Sequence, residues 1–333
     1  MAGDKPEVSE IGFVEGPSSK PSFGRRVLNH YKRWWWVHII AIIVVVLVVT
    51  LPLYVLLCPK LYLLTMTLTY ATIPLQVKGV SLQIAAVYHN INSSKPPVLF
   101  LHGFGSCKED LADIAVRPDF HEYGFLAFDA PGCGHSHCDT LSATDIPFLV
   151  ETTEAVLRHF RVQQFHLIGH SMGGLTALLL AHRNPSRVRS FIDIKGNLAP
   201  EDCFLSRQIF LFPSDDPEVF LEAFMMRTAT AQSYGSPLYA STLRARVRVA
   251  AVRPIFESMV RLSDEADLLG MFLALPFPKM FMFGEENRSL SYLPRLEKEG
   301  VELAQIRESG HFPMYSNPVE MYRRMASFLQ RLP

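Results

Sequence analysis

Gly169-His170-Ser171-Met172-Gly173 sets a serine between two glycines, each one residue removed from it. The wholly apolar run Phe165–Ile168 before it predicts a strand, and the apolar stretch from Gly174 predicts a helix. A strand that becomes a helix within one residue forces strained backbone angles on that residue and lifts its side chain into the open. The flanking glycines are needed because the two backbones approach too closely for a β-carbon. Such a serine is a candidate nucleophile for acyl transfer. The same five letters outside a strand–turn–helix setting would carry little weight.

A hydroxyl attacks well only when a base accepts its proton. Of the twelve histidines, His311 in Ser309-Gly310-His311-Phe312-Pro313 follows the last predicted strand and precedes the last predicted helix. From there its ring can swing over the sheet edge toward Ser171. The charge that develops on the substrate oxygen then needs donors. The Met172 N–H lies at a helix N-terminus and is one of them. The Phe104 N–H, in the loop His102-Gly103-Phe104-Gly105 after the strand Val98–Leu101, is the other.

The elements that must carry these residues begin near residue 74. Val80–Tyr88, Val98–Leu101, Phe125–Phe128, Phe165–Ile168, Phe191–Ile194, Lys279–Phe283 and Val301–Ile306 read as strands, and Thr152–Phe160, Gly174–His182 and Pro318–Leu332 as helices. Wholly apolar strands belong inside a mostly parallel sheet covered on both faces, an α/β architecture. Residues 198–275 break the rhythm with irregular apolar clusters and read as a mostly helical lid. Arg244, Arg246 and Arg248 within it read as a solvated face. Leu61–Thr72 is left open between a linker and a first edge strand.

Lys plus Arg and Asp plus Glu both number 32, so nothing in the charge balance points to nucleic acid. Five scattered cysteines make no disulfide framework. Cys133 and Cys138, with His135 and His137 between them, would otherwise raise the question of a metal site. Residues 1–33 are rich in Pro, Gly, Ser and charge and read as a flexible tail. Val37–Leu57 holds no Asp, Glu, Lys or Arg over 21 residues and follows Trp34, Trp35 and Trp36, so residues 34–58 read as a membrane helix rather than a buried core helix. Arg25, Arg26, Lys32 and Arg33 precede it and only Lys60 follows closely. That asymmetry puts the N-terminus in the cytosol and residues 74–333 in the lumen or outside. Asn92 and Asn287 begin glycosylation sequons usable on that side.

His102–Gly105, Asp129-Ala130-Pro131-Gly132-Cys133-Gly134-His135-Ser136, Gly169–Gly173, Phe281–Asn287 and Ser309–Pro313, in that order and spacing, resemble the α/β-hydrolase superfamily from about Gln76 to Pro333. The resemblance implies a serine hydrolase of small esters, a mechanism that needs no cofactor or metal, and the apolar lid together with the membrane helix predicts that the ester is lipophilic. The resemblance also explains Cys133, His135 and His137 as parts of the tight turn after the fourth strand. The family often places its triad Asp three residues after the glycine that ends the seventh strand, and here that position is Asn287. Glu286 is the first alternative, with Glu285 and Asp193 behind it. Asn287 could instead orient the base itself. Three functions stay open: hydrolysis of an ester, amide or thioester, acyl transfer with the same parts, and a non-catalytic ligand binder that kept the pocket.

Overall fold

The apolar runs form the middle of a sheet. A computed structural model describes residues 34–35, 37–50 and 68–332, in two units, Met1–Thr65 and Met66–Pro333. In the second unit the strands are β1 (Thr69–Val77), β2 (Val80–His89), β3 (Lys95–Leu101), β4 (Tyr123–Phe128), β5 (Phe165–His170), β6 (Val188–Ile194), β7 (Lys279–Gly284) and β8 (Glu302–Ile306). They stand in the order β1-β2-β4-β3-β5-β6-β7-β8, and the two-residue strand His137–Cys138 pairs with β2. β2 runs antiparallel to β1 and β4, and every later neighbour is parallel. β4 and β5 are buried along their whole length, which is why their sequences show no polar alternation.

β1 takes in residues 69–72 of the segment left open by the sequence, and residues 61–67 of that segment lie outside the described residues. The strand contains Pro74, which cannot donate to a ladder and is tolerated because β1 is the edge of the sheet. A two-residue turn, Lys78-Gly79, joins β1 to β2 with φ of 49° and 80°, as a tight hairpin requires.

Helices flank the sheet. α1 (Ile146–His159) starts before its apolar periodicity is evident, because Asp145 caps it by accepting from the Phe148 N–H at 2.8 Å. α2 (Met172–Arg183) leaves β5 directly. The insertion carries α3 (Pro217–Ala229), α4 (Ser236–Arg246) and α5 (Val252–Glu265), and α6 (Pro318–Gln330) closes the chain. The arginines of the insertion are not simply solvated. Arg244 pairs with Glu222, Arg246 lies 3.5 Å from Asp110, and Arg248 donates to the Gly134 carbonyl at 2.8 Å. The last two tie the insertion to loops of the sheet.

β4 lies on one side of β3 and β5 on the other. Loops leaving the C-terminal ends of β3 and β5 therefore diverge and open a crevice between them. The loop after β3 is fixed from below. Asp129, fully buried at the end of β4, accepts from the Lys108 N–H and the Lys108 ammonium, both at 2.9 Å, and from the His135 N–H at 2.9 Å. Burial pushes the Asp129 pKa up, but His102, these N–H groups and Lys108 outweigh it and hold it below the ordinary carboxylate range.

In the first unit, residues 37–45 are α-helical and continue into a π-helical turn, Val46–Thr50. Among the described residues no helix is long and apolar enough to cross a membrane. The membrane helix expected over 34–58 is thus not found there, and residues 36 and 51–58 of it lie outside the described residues, as does the tail 1–33.

Candidate active site

Ser171 sits at φ 53° and ψ −118°, a conformation that residues with a side chain rarely adopt. It is held from both sides. Its N–H donates to the Ile194 carbonyl at 3.1 Å, and its carbonyl accepts from Leu175 at 3.0 Å in the first turn of α2. The crossing is so close that a β-carbon on Gly173 would stand 2.1 Å from the Leu101 carbonyl oxygen and 2.5 Å from that of His102. The second glycine of G-x-S-x-G is therefore required by contact with the end of β3, and the first by α2, where a β-carbon on Gly169 would stand 2.6 Å from the Gly173 carbonyl oxygen.

His311 Nε2 lies 2.9 Å from Ser171 Oγ, so residues 140 apart in the chain meet at one hydrogen bond. His170, the residue between the first glycine and the serine, helps to fix the histidine loop. Its Nε2–H donates to the His311 carbonyl at 2.9 Å, and burial pushes its pKa down to about 4, which keeps the ring neutral. The rings of His170 and His311 lie 5.1 Å apart, and Phe204 meets His311 edge-on at 5.6 Å.

The Met172 N–H opens α2 and is one of the first-turn donors without an intrahelical acceptor. Phe104 lies in the same pocket as Ser171 and His311. Its carbonyl accepts from the Tyr239 hydroxyl at 2.7 Å, and the Tyr239 ring stacks on Phe312 at 4.2 Å. Tyr239 of α4 thus couples the β3 loop, the insertion and the histidine loop. No sequence signal marked it, because α4 shows no clear apolar face and the partners of its hydroxyl and ring, Phe104 and Phe312, are far away in the chain.

None of the three carboxylates expected near the base reaches it. Glu286 accepts from the Tyr234 N–H at 3.1 Å and from the Ser233 hydroxyl. Glu285 accepts from the Glu308 N–H at 3.1 Å. Asp193 is fully buried and accepts from the Gly196 N–H at 2.7 Å, and burial pushes its pKa up to about 7. His311 Nδ1 is buried without a hydrogen-bond partner, and so is Asn287 Oδ1. Burial, then His170 and Lys195, hold the His311 pKa well below the usual imidazole value. Lys195, at the end of β6 where some α/β hydrolases carry their acid, is itself buried and pairs with Asp202, which also accepts from the Tyr292 hydroxyl at 2.9 Å.

The cavity at Ser171 is narrow, about 30 Å³, and lined largely by aromatic rings from Phe104, Phe204, Phe224 and Phe256. A wider groove of about 350 Å³ adjoins it, sharing Phe204, Leu205, His311 and Phe312, with Asn287 and Glu286 along its rim. Asn92 is exposed in the β2–β3 turn, whereas the Asn287 side-chain oxygen is buried beside that groove. Among the described residues no cluster of three His, Cys, Asp or Glu side chains is arranged to hold a metal ion.

Residues 96–261 match the α/β hydrolase fold family. The chain has the α/β-hydrolase fold. It is 29% identical over 254 residues to a pimeloyl-[acyl-carrier protein] methyl ester esterase of Aeromonas salmonicida, covering 70% of this chain and 95% of that protein. It is 23% identical over 259 residues to a 2-succinyl-6-hydroxy-2,4-cyclohexadiene-1-carboxylate synthase of Klebsiella pneumoniae, covering 74% and 98%. A shorter match, 32% identical over 129 residues, spans 38% of this chain and only 43% of a Haemophilus influenzae protein. Among solved structures, a carboxylesterase of Nitrososphaera gargenis superposes with a TM-score of 0.63 at 16% identity, covering 78% of this chain and 98% of that one. The α/β-hydrolase fold alone does not choose between an esterase and a synthase.

The strain at the bend is measurable. Ser171→Gly is expected to be more stable than Ser171→Ala by about 1 kcal/mol or more, even after the extra entropy glycine brings to the unfolded chain. Denaturant unfolding of the two variants checks this, and an alanine variant as stable as the glycine one would show that the bend is unstrained.

Proposed function

We propose that the protein is a serine hydrolase that cleaves carboxylic esters through an acyl-enzyme on Ser171. The 2.9 Å contact between Ser171 Oγ and His311 Nε2, at a strained strand-to-helix bend, is the observation that carries this reading. His311 takes the hydroxyl proton as Oγ attacks the ester carbonyl, and the Phe104 and Met172 N–H groups hold the oxyanion. The tetrahedral intermediate collapses, the C–O bond to the alcohol breaks, and His311 returns the proton to the leaving oxygen. Water, deprotonated by the same ring, then attacks acyl-Ser171, the bond from Oγ to the acyl carbon breaks, and His311 returns the proton to Oγ as the acid leaves. An acceptor alcohol in place of water would give acyl transfer, and a thioester or amide would enter by the same steps. The esterase among the relatives supports hydrolysis.

The aromatic lining of the cavity favours an ester with an apolar acyl or alcohol part. A membrane tether through residues 34–58, with the N-terminus cytosolic and the hydrolase unit lumenal or extracellular, rests on the uncharged stretch and the cation asymmetry alone. Retention of the full chain in the pellet after alkaline carbonate extraction of membranes supports the tether, and its release contradicts it. A non-catalytic binder is the second reading, favoured by the lack of a carboxylate at His311 Nδ1.

Ester hydrolysis separates the two. Wild type should turn over p-nitrophenyl esters, faster for long than for short acyl chains. Ser171→Ala should lose about a thousandfold or more in kcat. Equal rates in wild type and variant remove the catalytic reading, and a short-chain preference removes the lipophilic substrate.

A further inference from the structure

For Nε2 of His311 to accept the Ser171 proton, the ring hydrogen must sit on Nδ1, which is then a donor. That donor is buried and unpartnered, and the buried, unpartnered Asn287 Oδ1 is an acceptor. A buried polar atom left without a partner is costly and rare, so two of opposite role at one groove call for a joint explanation. Both residues line the wider groove beside Ser171. The backbone brings them there. Asn287 ends the turn Glu285–Asn287 directly after β7, the Glu286 N–H donates to the Ser309 carbonyl at 3.1 Å, and a β-carbon on Gly284 would stand 2.2 Å from the Gly310 carbonyl oxygen. The β7 loop and the histidine loop are thus in direct contact.

We infer that the Asn287 side-chain carbonyl is the group that orients His311, accepting its Nδ1–H directly or through one bridging water, so that the base of this site works without a carboxylate partner. The inference rests on the reading of Ser171 and His311 as nucleophile and base. Catalytic hydrogen bonds are often long in an empty site and tighten when substrate closes it. Every carboxylate that might compete is engaged elsewhere: Glu285 with Glu308, Glu286 with Ser233 and Tyr234, Asp193 with Gly196, and Asp202 with Lys195 and Tyr292. The charged or titratable groups that bear on the His311 ring are His170 from β5 and Lys195 from β6, and both oppose its protonation, as does burial.

An amide oxygen fixes the ring's tautomer and angle as a carboxylate would, but it adds no full charge to stabilise the imidazolium formed in the transition state. Two consequences follow together. Turnover is slower than a carboxylate would allow, and the base stays unprotonated to lower pH. Since the base acts deprotonated and its pKa is lowered, activity holds as pH falls below 6.5 and declines only nearer the lowered value.

The test is kcat and KM for p-nitrophenyl butyrate across pH 4–9 with the full chain as wild type, Ser171→Ala, Asn287→Asp and Asn287→Ala. Asn287→Asp, which keeps the shape, should raise kcat about tenfold with little change in KM. It should also move the acid limb up by about one pH unit or more, because a carboxylate within reach favours imidazolium. Asn287→Ala should lower kcat about tenfold with KM unchanged. Wild-type turnover that depends on Ser171, together with an Asn287→Asp acid limb and kcat matching wild type, overturns this inference alone. Absence of Ser171-dependent turnover overturns it together with the serine-hydrolase reading.

Discussion

No β-carbon fits between the first turn of α2 and the end of β3, and the geometry of the site follows from that contact. The backbone of Gly173 passes so near the Leu101 and His102 carbonyls that β5 must bend into α2 within one residue. The bend fixes Ser171 at a positive φ with its hydroxyl over the sheet edge. It also sets the Met172 N–H at the open end of a helix, beside the β3 loop that carries Phe104. A single steric constraint thus positions the proposed nucleophile and the proposed oxyanion donor together. It uses the backbone alone, which leaves side chains free to vary around it.

The proposed base is held by different means. His311 arrives on a loop from the far end of the chain, and two neutral groups fix that loop: the His170 ring through its Nε2–H, and Tyr239 through its stacking on Phe312. Tyr239 also holds the Phe104 carbonyl, so movement of α4 would be felt at the oxyanion loop and the histidine loop at once. The insertion is therefore part of the site's framework as well as its cover. The electrostatics around the ring are unusual for an imidazole paired with a serine. Burial and the nearby Lys195 disfavour its protonated form, and no carboxylate bonds its second nitrogen.

Much of this was legible in the sequence, for identifiable reasons. β4, β5 and β6 stand out as apolar runs because a sheet covered on both faces leaves few strand positions for polar side chains. β1 did not, since Pro74 reads as a break and only its place at the sheet edge makes it tolerable. Ser171 could be picked out from its local pattern, because the strain that exposes it is written in adjacent glycines. The partner of His311 could not, since it depends on which loop reaches the ring in space. Glu285, Glu286 and Asp193 were each plausible by spacing, yet each is bound to a backbone N–H of its own. The Lys195–Asp202 pair and Tyr239 were invisible for the same reason: their partners are set by tertiary packing.

An activated nucleophile at Ser171 is what the proposed chemistry depends on most. Treating the native protein with a fluorophosphonate and mapping the adduct by peptide mass spectrometry tests this directly. One phosphonyl group per chain on Ser171, absent after His311→Ala or prior unfolding, is the result expected. A folded wild-type protein that stays unlabelled, or that carries the adduct on another residue, would contradict it.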